Sequence, residues 1–143
     1  MIVVDTTVLV YAVGTNHPLQ APCRSLVERV ARGDVQATTT VEVIQEFTHV
    51  RARRRTRSDA VALARSYADL FAPLLLVESG DLVVGLTMFE ANDRLGPFDA
   101  VLAATAIRRG ASGLVSADAA FARVHGLRYL DPSTRGFLDD LDP

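Results

Sequence analysis

Four acidic residues stand where a carboxylate could do chemistry: Asp5, Glu46, Asp99 and Asp118. Asp5 and Asp118 each follow a short apolar run of the kind that forms a buried strand. Glu46 lies in a stretch whose apolar residues recur at helical spacing, and Asp99 stands ahead of the apolar residues 100–106. A charge in such surroundings is costly unless a partner or a ligand compensates it. Each of the four acids therefore requires a structural or a chemical explanation.

A parallel sheet could bring three of these acids together. The carboxyl ends of its strands and the starts of the following helices share one edge, where such folds keep their ligands. Asp5, Asp99 and Asp118 can therefore converge. Clustered carboxylates repel one another, and a hard cation such as Mg²⁺, which prefers oxygen ligands, relieves that repulsion. Two such ions about 3.5–4 Å apart would activate water and stabilise the leaving oxygen in phosphodiester cleavage.

Each acid also has a purely structural interpretation. Asp5 could be the N-cap of the first helix, and Asp99 could be a first-turn acid that the helix dipole stabilises. Asp118 could be a turn residue and Glu46 a solvated helix residue. All four structural interpretations must hold together for the chemical one to fail. We therefore predict that the acids form one site.

The elements that must position the acids alternate along the chain. Strands are predicted at residues 2–4, 35–38, 74–77, 114–115 and 127–130. Helices are predicted from Val8 to Val13, from around Pro22 to Gly33, from a Thr39–Glu42 capping box into the arginine run, from Ser58 to Pro73, from Ser79 to about Leu95, and from Pro97 to Arg109. This alternation implies a right-handed α/β fold with a parallel sheet. We expect a single domain over residues 1–143.

The composition excludes several classes of function. All 15 basic residues are arginine, so a P-loop or a Schiff base, which both need lysine, is excluded. The single Cys23 excludes an internal disulfide and a cysteine-based zinc site. No apolar run reaches the roughly 18 residues of a membrane span, and no basic segment precedes Ile2 as in a signal peptide. We expect a cytoplasmic protein that does not enter the membrane.

The motifs around the four acids resemble those of the PIN-domain family. Residues 5–12, Asp-Thr-Thr-Val-Leu-Val-Tyr-Ala, look like its opening motif, and Gln45-Glu46-Phe47 resembles the second acidic motif. Residues 98–106 are similar to the third motif and residues 116–121 to the fourth. Their order and spacing, and the total length, resemble the VapC-type toxins of bacterial toxin–antitoxin pairs over nearly the whole chain.

The resemblance implies a PIN-like three-layer fold, in which helices flank a central parallel sheet, and a Mg²⁺-dependent endoribonuclease in which Mn²⁺ can substitute. Such a toxin cleaves structured RNA, such as tRNA or rRNA, and so inhibits translation and growth. Asp5 and Asp99 would be the main metal ligands of the catalytic pocket, which Glu46 and Asp118 would complete. Thr7, where the family more often has Asn or Ser, and Ser116 would be supporting hydroxyls.

The resemblance also implies partners. The family suggests a homodimer that a small VapB-type antitoxin silences by extending a basic segment into the acidic pocket. A haloacid-dehalogenase-type phosphatase is disfavoured because Thr7 stands where that chemistry needs a second Asp, and a receiver domain would need a Lys. A non-catalytic RNA- or antitoxin-binding module stays open as the alternative.

A run of arginines is the best candidate for a surface that contacts RNA phosphates. Its members are Arg51, Arg53, Arg54, Arg55 and Arg57. Guanidinium groups suit phosphate oxygens because they donate two parallel hydrogen bonds. The same run could instead be a solvated helix end that complements the dipole, or the surface that meets an antitoxin.

Overall fold

The fold is built around four short parallel strands in a computed structural model that describes residues 1–141. The strands are β1 (Ile2–Val4), β2 (Ala37–Thr38), β3 (Gly113–Val115) and β4 (Tyr129–Leu130), and their order in the sheet is β2-β1-β3-β4. The central position of β1 explains why its three β-branched or aliphatic residues are all buried. The predicted α/β fold with a parallel sheet is confirmed.

Helices flank this sheet. They are α1 (Thr6–Ala12), α2 (Gln20–Arg32), α3 (Val41–Arg54), α4 (Arg57–Leu70), α5 (Ser79–Ala91) and α6 (Pro97–Arg108), with short 3₁₀ segments at Ala119–Arg123 and Asp139–Leu141. The main helix pairs are α5 with α6 and α3 with α4. Gly33 ends α2 in the left-handed conformation that its missing Cβ permits. No helix in residues 1–141 is long and apolar enough to cross a membrane.

The predicted starts of two helices were wrong. Thr40, not Thr39, caps α3, because its hydroxyl accepts a hydrogen bond from the Val43 amide at 3.3 Å. Thr39 instead donates its hydroxyl to the Val4 carbonyl at 2.6 Å, which ties the start of α3 to the sheet. The predicted capping box of Thr39 and Glu42 is therefore absent. In the same way Thr56, not Ser58, caps α4.

The strand predicted at residues 74–77 does not form. Only an isolated bridge between Thr40 and Leu75 marks the place where this segment runs beside the start of α3. Leu74 and Leu75 still pack partly against the core, whereas Leu76 is 71% exposed, so the hydrophobicity of this run was in part a sign of burial and not of sheet pairing. Short apolar runs do not distinguish these two cases.

The apolar face of α5 lies outward. Gly85 is the point of closest packing, since a Cβ there would stand 2.8 Å from the Val101 Cα of α6. The larger apolar side chains of α5 are exposed, Val83 with 66% of its surface, and Phe98 at the start of α6 is 79% exposed. The two helices thus approach each other closely at Gly85, and the large apolar side chains of α5 lie on the surface. A contiguous exposed apolar area of this kind marks an interaction or ligand-binding site.

Candidate active site

Asp5 lies at the end of the central strand and is held there by three hydrogen bonds. The residue is only 3% exposed. Its Oδ2 atom accepts the hydroxyls of Thr7 and Ser116, each at 2.7 Å, and the Thr7 amide at 3.3 Å. Burial raises the pKa of the Asp5 carboxyl, and the hydrogen bonds from Ser116 and Thr7 oppose that rise without cancelling it. The hydrogen bonds from Thr7 and Ser116 all end on Oδ2, so Oδ1 is the carboxylate oxygen that is more available to a ligand.

The two hydroxyls that hold Asp5 also join the loops after β1 and β3. The Thr7 hydroxyl accepts the Ala117 amide at 3.0 Å, and the Ser116 hydroxyl accepts the Asp118 amide at 2.9 Å. Each hydroxyl has a single proton, and each donates that proton in its hydrogen bond to Asp5. The carboxylate geometry is therefore fixed by two loops that are far apart in sequence. Thr7 and Ser116 thus both contact Asp5, and their supporting role in a catalytic site stays a prediction.

Asp99 stands in the first turn of α6, where Pro97 occupies the start of the helix. The residue is half-buried. Burial, followed by the charges of Asp5, Asp118 and Glu46, raises the pKa of Asp99 to about 7. All three other acids are thus within electrostatic range of Asp99. The structure brings together the four acids that the sequence motifs singled out.

Glu46 and Asp118 lie at the exposed margin of this cluster. The Glu46 Oε2 atom accepts the hydroxyl of Thr6 at 2.6 Å. The Asp118 Oδ1 atom accepts the Ala120 amide at 2.8 Å and so caps the 3₁₀ segment that follows. Asp5 likewise caps α1 through the Thr7 amide. The structural interpretation of Asp5 as an N-cap is therefore correct, and Asp118, for which we predicted a turn, caps the 3₁₀ segment. Each cap uses only one oxygen of the carboxylate.

The acid cluster has no basic partner in the part of the chain that the structure describes. None of the four acids forms an ion pair with an arginine or histidine there. Their oxygens are the hard donors that Mg²⁺ prefers. In residues 1–141 no group of three or more acidic, His or Cys side chains is placed so that it could hold a metal ion. Mg²⁺ usually takes only one or two carboxylates and keeps its other ligands as water or substrate oxygen, so the donor set fits such an ion.

A cavity of about 780 Å³ opens above the cluster between α3, α5 and α6. Its lining includes four acids, Asp5, Glu42, Glu46 and Asp99. Most of the other lining residues are apolar: Val43, Val77, Leu82, Leu86, Pro97, Phe98, Val101 and Leu102. We call this cavity the acidic groove. Its apolar lining was missed from sequence, although the helical spacing of Leu82 and Leu86 was visible, because apolar residues at that spacing usually face a core.

The family model described as PIN domain matches residues 2–127, which contain all four acids. This chain belongs to the PIN-domain family. Ribonuclease VapC7 of Mycobacterium tuberculosis strain ATCC 25618 / H37Rv is 51% identical over 142 residues, with 96% of each chain covered. Ribonuclease VapC23 of the same strain is 31% identical over 121 residues, which cover 82% of this chain and 93% of the relative. The predicted family is confirmed.

Two solved structures share the PIN fold at low sequence identity. One is VapBC2 from Rickettsia felis bound to a DNA fragment from their promoter, with a TM-score of 0.70, and the other is FitAcB from Neisseria gonorrhoeae, with a TM-score of 0.71. Each is 14% identical to this chain and covers 92% of it and 98% of its own length. The PIN-like arrangement is thus confirmed for nearly the whole chain.

The arginine run of this PIN domain is not one surface. Arg51 pairs with Asp59 at 2.5 Å, and this hydrogen bond, more than the nearby charges, lowers the pKa of Asp59. Arg53 and Arg57 line a cavity between α3 and α4. Arg54 and Arg55 line a different cavity beside Tyr11, together with Arg51. A contact of the run with RNA stays a prediction, but its five members have different surroundings.

Proposed function

We propose that this PIN domain hydrolyses phosphodiester bonds in structured RNA, such as tRNA or rRNA, at the acidic groove with the aid of Mg²⁺. The observation that carries the proposal is the arrangement of Asp5, Glu46 and Asp99 around one cavity, and burial together with the neighbouring acids raises the pKa of Asp99 to about 7. A carboxylate cluster held in this way, with no basic partner in residues 1–141, favours a cation. The acids repel the negative charge of an RNA phosphate, and a bound cation would neutralise that repulsion.

The class of enzyme rests on the relatives. Identity of 51% over nearly the full length of a ribonuclease supports a ribonuclease that acts as the toxin of a toxin–antitoxin pair. A non-catalytic RNA- or antitoxin-binding module would not need the hydroxyl pair that fixes one oxygen of Asp5. That arrangement favours chemistry over binding alone.

The residues of the site would divide the work as follows. Asp5 and Asp99 would hold the ion, and Glu46 and Asp118 would contact it directly or through water. When bound, Mg²⁺ would polarise the phosphate and lower the pKa of a water molecule. Thr7 and Ser116 keep Asp5 in one orientation, and Thr6 does the same for Glu46. Mn²⁺ would serve in the same site because it accepts the same oxygen ligands.

The apolar lining of the acidic groove suits a peptide partner. A segment with apolar side chains and one basic residue would cover Leu82, Leu86 and Phe98 and place its cation among the acids. We infer that a small VapB-type antitoxin binds in this way. The solved structures of the fold, VapBC2 and FitAcB, support such a partner. We also propose a homodimer and a cytoplasmic location.

The test is cleavage of total RNA by the purified protein with Mg²⁺ and with a chelator. Asp99→Asn and Asp5→Ala should each lower the cleavage rate about 10²–10³-fold, the usual effect of removing a key charge from an active site. Asp69→Asn is the matched control, since Asp69 is exposed on α4 away from the acidic groove. The growth arrest caused by expression should follow the same order.

Two results would contradict the proposal. Undiminished cleavage by Asp5→Ala or Asp99→Asn would move the site elsewhere. RNA binding by a wild type that never cleaves, and calorimetry without Mn²⁺ binding, would establish the non-catalytic module instead.

A further inference from the structure

A second cavity lies next to the acidic groove along α3. This second cavity, of about 650 Å³, lies between α3 and α4 and is lined by Gln45, Thr48, His49, Ala52, Arg53, Arg57, Ala60 and Val61. Gln45 and His49 line both cavities, so the two cavities are neighbours that meet at these side chains. Glu46, His49 and Arg53 follow one another at helical spacing on the same side of α3. A ligand in the acidic groove can therefore extend along α3.

Charge changes sign along this path. Glu46 belongs to the acid cluster, whereas Arg53, two turns later, is exposed and makes no ion pair within residues 1–141. Seven residues of helix correspond to about 10 Å, so groups near Glu46 and Arg53 can contact different phosphates of one strand. An acidic centre repels the phosphates on either side of the reacting one. Cations at this distance from the acids compensate that repulsion.

Arg57 has no role in folding that explains its position. It is the first residue of α4, where the helix dipole disfavours a positive charge. Like Arg53 it is exposed and without an ion pair in the described part of the chain. Arg51, by contrast, is committed to Asp59 and to the Val13 carbonyl. The free guanidinium groups beside the acidic groove are thus Arg53 and Arg57.

We propose that Gln45, His49, Arg53 and Arg57 form an extension of the acidic groove that binds the RNA backbone beside the cleaved bond. Arg53 and Arg57 contact phosphates, and Gln45 and His49 offer hydrogen bonds between them and the acids. This inference rests on the proposed function, because it names the part of the surface that holds the same substrate. Arg54 and Arg55 lie outside this extension, in the cavity beside Tyr11.

The experiment compares two double variants that each remove two positive charges. Arg53→Ala/Arg57→Ala removes the extension, and Arg54→Ala/Arg55→Ala is the matched control on the other side of α3. Both are made in an Asp99→Asn background, so that RNA stays intact, and binding of total tRNA is measured by fluorescence anisotropy between 50 and 200 mM salt. Thermal unfolding checks that each variant folds. Arg53→Gln/Arg57→Gln removes the same two charges as Arg53→Ala/Arg57→Ala but keeps longer polar side chains.

Loss of two phosphate contacts should weaken binding about tenfold and reduce the slope of log K against log salt by about 2. The control should change both quantities far less. Equal effects of the two double variants, or no effect of the first, would overturn the extension.

Failure of the proposed function gives a different result. If the wild type binds tRNA through Arg53 and Arg57 but cleaves no RNA, the extension stands and the catalytic proposal fails. If the wild type cleaves RNA and its binding is indifferent to Arg53 and Arg57, only the extension fails. Absence of any tRNA binding would overturn the extension as well.

Discussion

Two buried carboxylates in this protein, Asp81 and Asp5, have opposite surroundings. The Asp81 side chain is 0% exposed and pairs with Arg108 at 2.7 Å and Arg109 at 3.2 Å. It also accepts the Glu78 amide at 2.8 Å, in the capping box that starts α5. Asp5 is almost as deeply buried, but its partners are two hydroxyls and one amide, and the charges nearest to it are those of other acids.

The pKa values of the two regions record this difference. Burial raises the pKa of Asp81, but the Glu78 amide and the two arginines outweigh burial, so the net shift is downward. The pKa of Asp5 is raised, and so is that of Asp99. The negative charge of a buried acid with arginine partners is compensated by residues of the fold itself. A buried acid among like charges destabilises the fold and gains only when a cation from outside arrives.

The largest expected effect concerns Asp81. Asp81→Ala leaves Arg108 and Arg109 without their buried partner and removes a cap, which should cost about 3 kcal/mol of unfolding free energy. Activity per folded molecule should be unchanged, because Asp81 does not line the acidic groove. Urea unfolding and cleavage assays normalised to folded protein measure the two quantities.

The surface pair of Arg32 and Asp34 provides the control for this variant. Both side chains are largely solvated, at 62% and 46% exposed, so Asp34→Ala should cost less than about 1 kcal/mol. If Asp81→Ala costs no more unfolding free energy than Asp34→Ala, the contrast between Asp81, whose charge the fold compensates, and Asp5, whose charge it does not, fails. Loss of cleavage in folded Asp81→Ala would also contradict it.

The next effect concerns the hydroxyls of Thr7 and Ser116, which contact Asp5 where Asp81 has arginine partners. Ser116→Ala removes one hydrogen bond from Asp5 Oδ2 and one acceptor from the Asp118 amide. We expect about a 10–100-fold loss in Mn²⁺ affinity, read by calorimetry, and a similar loss in cleavage rate. Ser116→Thr should restore part of both. Ser66→Ala, on the exposed side of α4, is the control, and equal Mn²⁺ affinity of Ser116→Ala and wild type would refute a positioning role.

Much of the site was predictable because its residues stand at the ends of regular elements. Asp5 follows β1, and Asp99 follows the Gly96-Pro97 start of α6, so topology alone brings them to one edge of the sheet. Thr7 was predictable as a supporting hydroxyl only through the family motif. Its exact contact with Ser116 and Asp5 depends on loops separated by more than one hundred residues.

Other features could not be predicted because long-range packing decides them. Asp81 meets Arg108 and Arg109 only when α5 lies against α6, and no local pattern indicates that pair. Thr39 and Thr40 are chemically alike, and the contact of Thr39 with the Val4 carbonyl decides which of them caps α3. The outward apolar face of α5 follows from the close packing at Gly85.

The smallest expected effect is also the sharpest test of the comparison, because its sign is opposite to that of Asp81. The pKa of Asp99 is about 7 in the folded protein against an ordinary value of 3.8, so between these values the folded state binds more protons than the unfolded state. The stability of the metal-free protein should therefore fall as pH rises from about 4 to about 7 and stay low above that range. Asp99→Asn should remove part of this slope and raise the unfolding free energy at pH 7.5 by about 1–2 kcal/mol, a figure reduced for the partial exposure of the carboxylate.

Thermal unfolding with a chelator, at pH 4.5 and at pH 7.5, measures the difference in stability between the variant and the wild type. The contributions of the histidines, which both proteins share, cancel in this difference. A variant that is less stable than the wild type at pH 7.5 would mean that Asp99 is compensated within the fold, as Asp81 is, and the reason to expect a cation in the acidic groove would be lost.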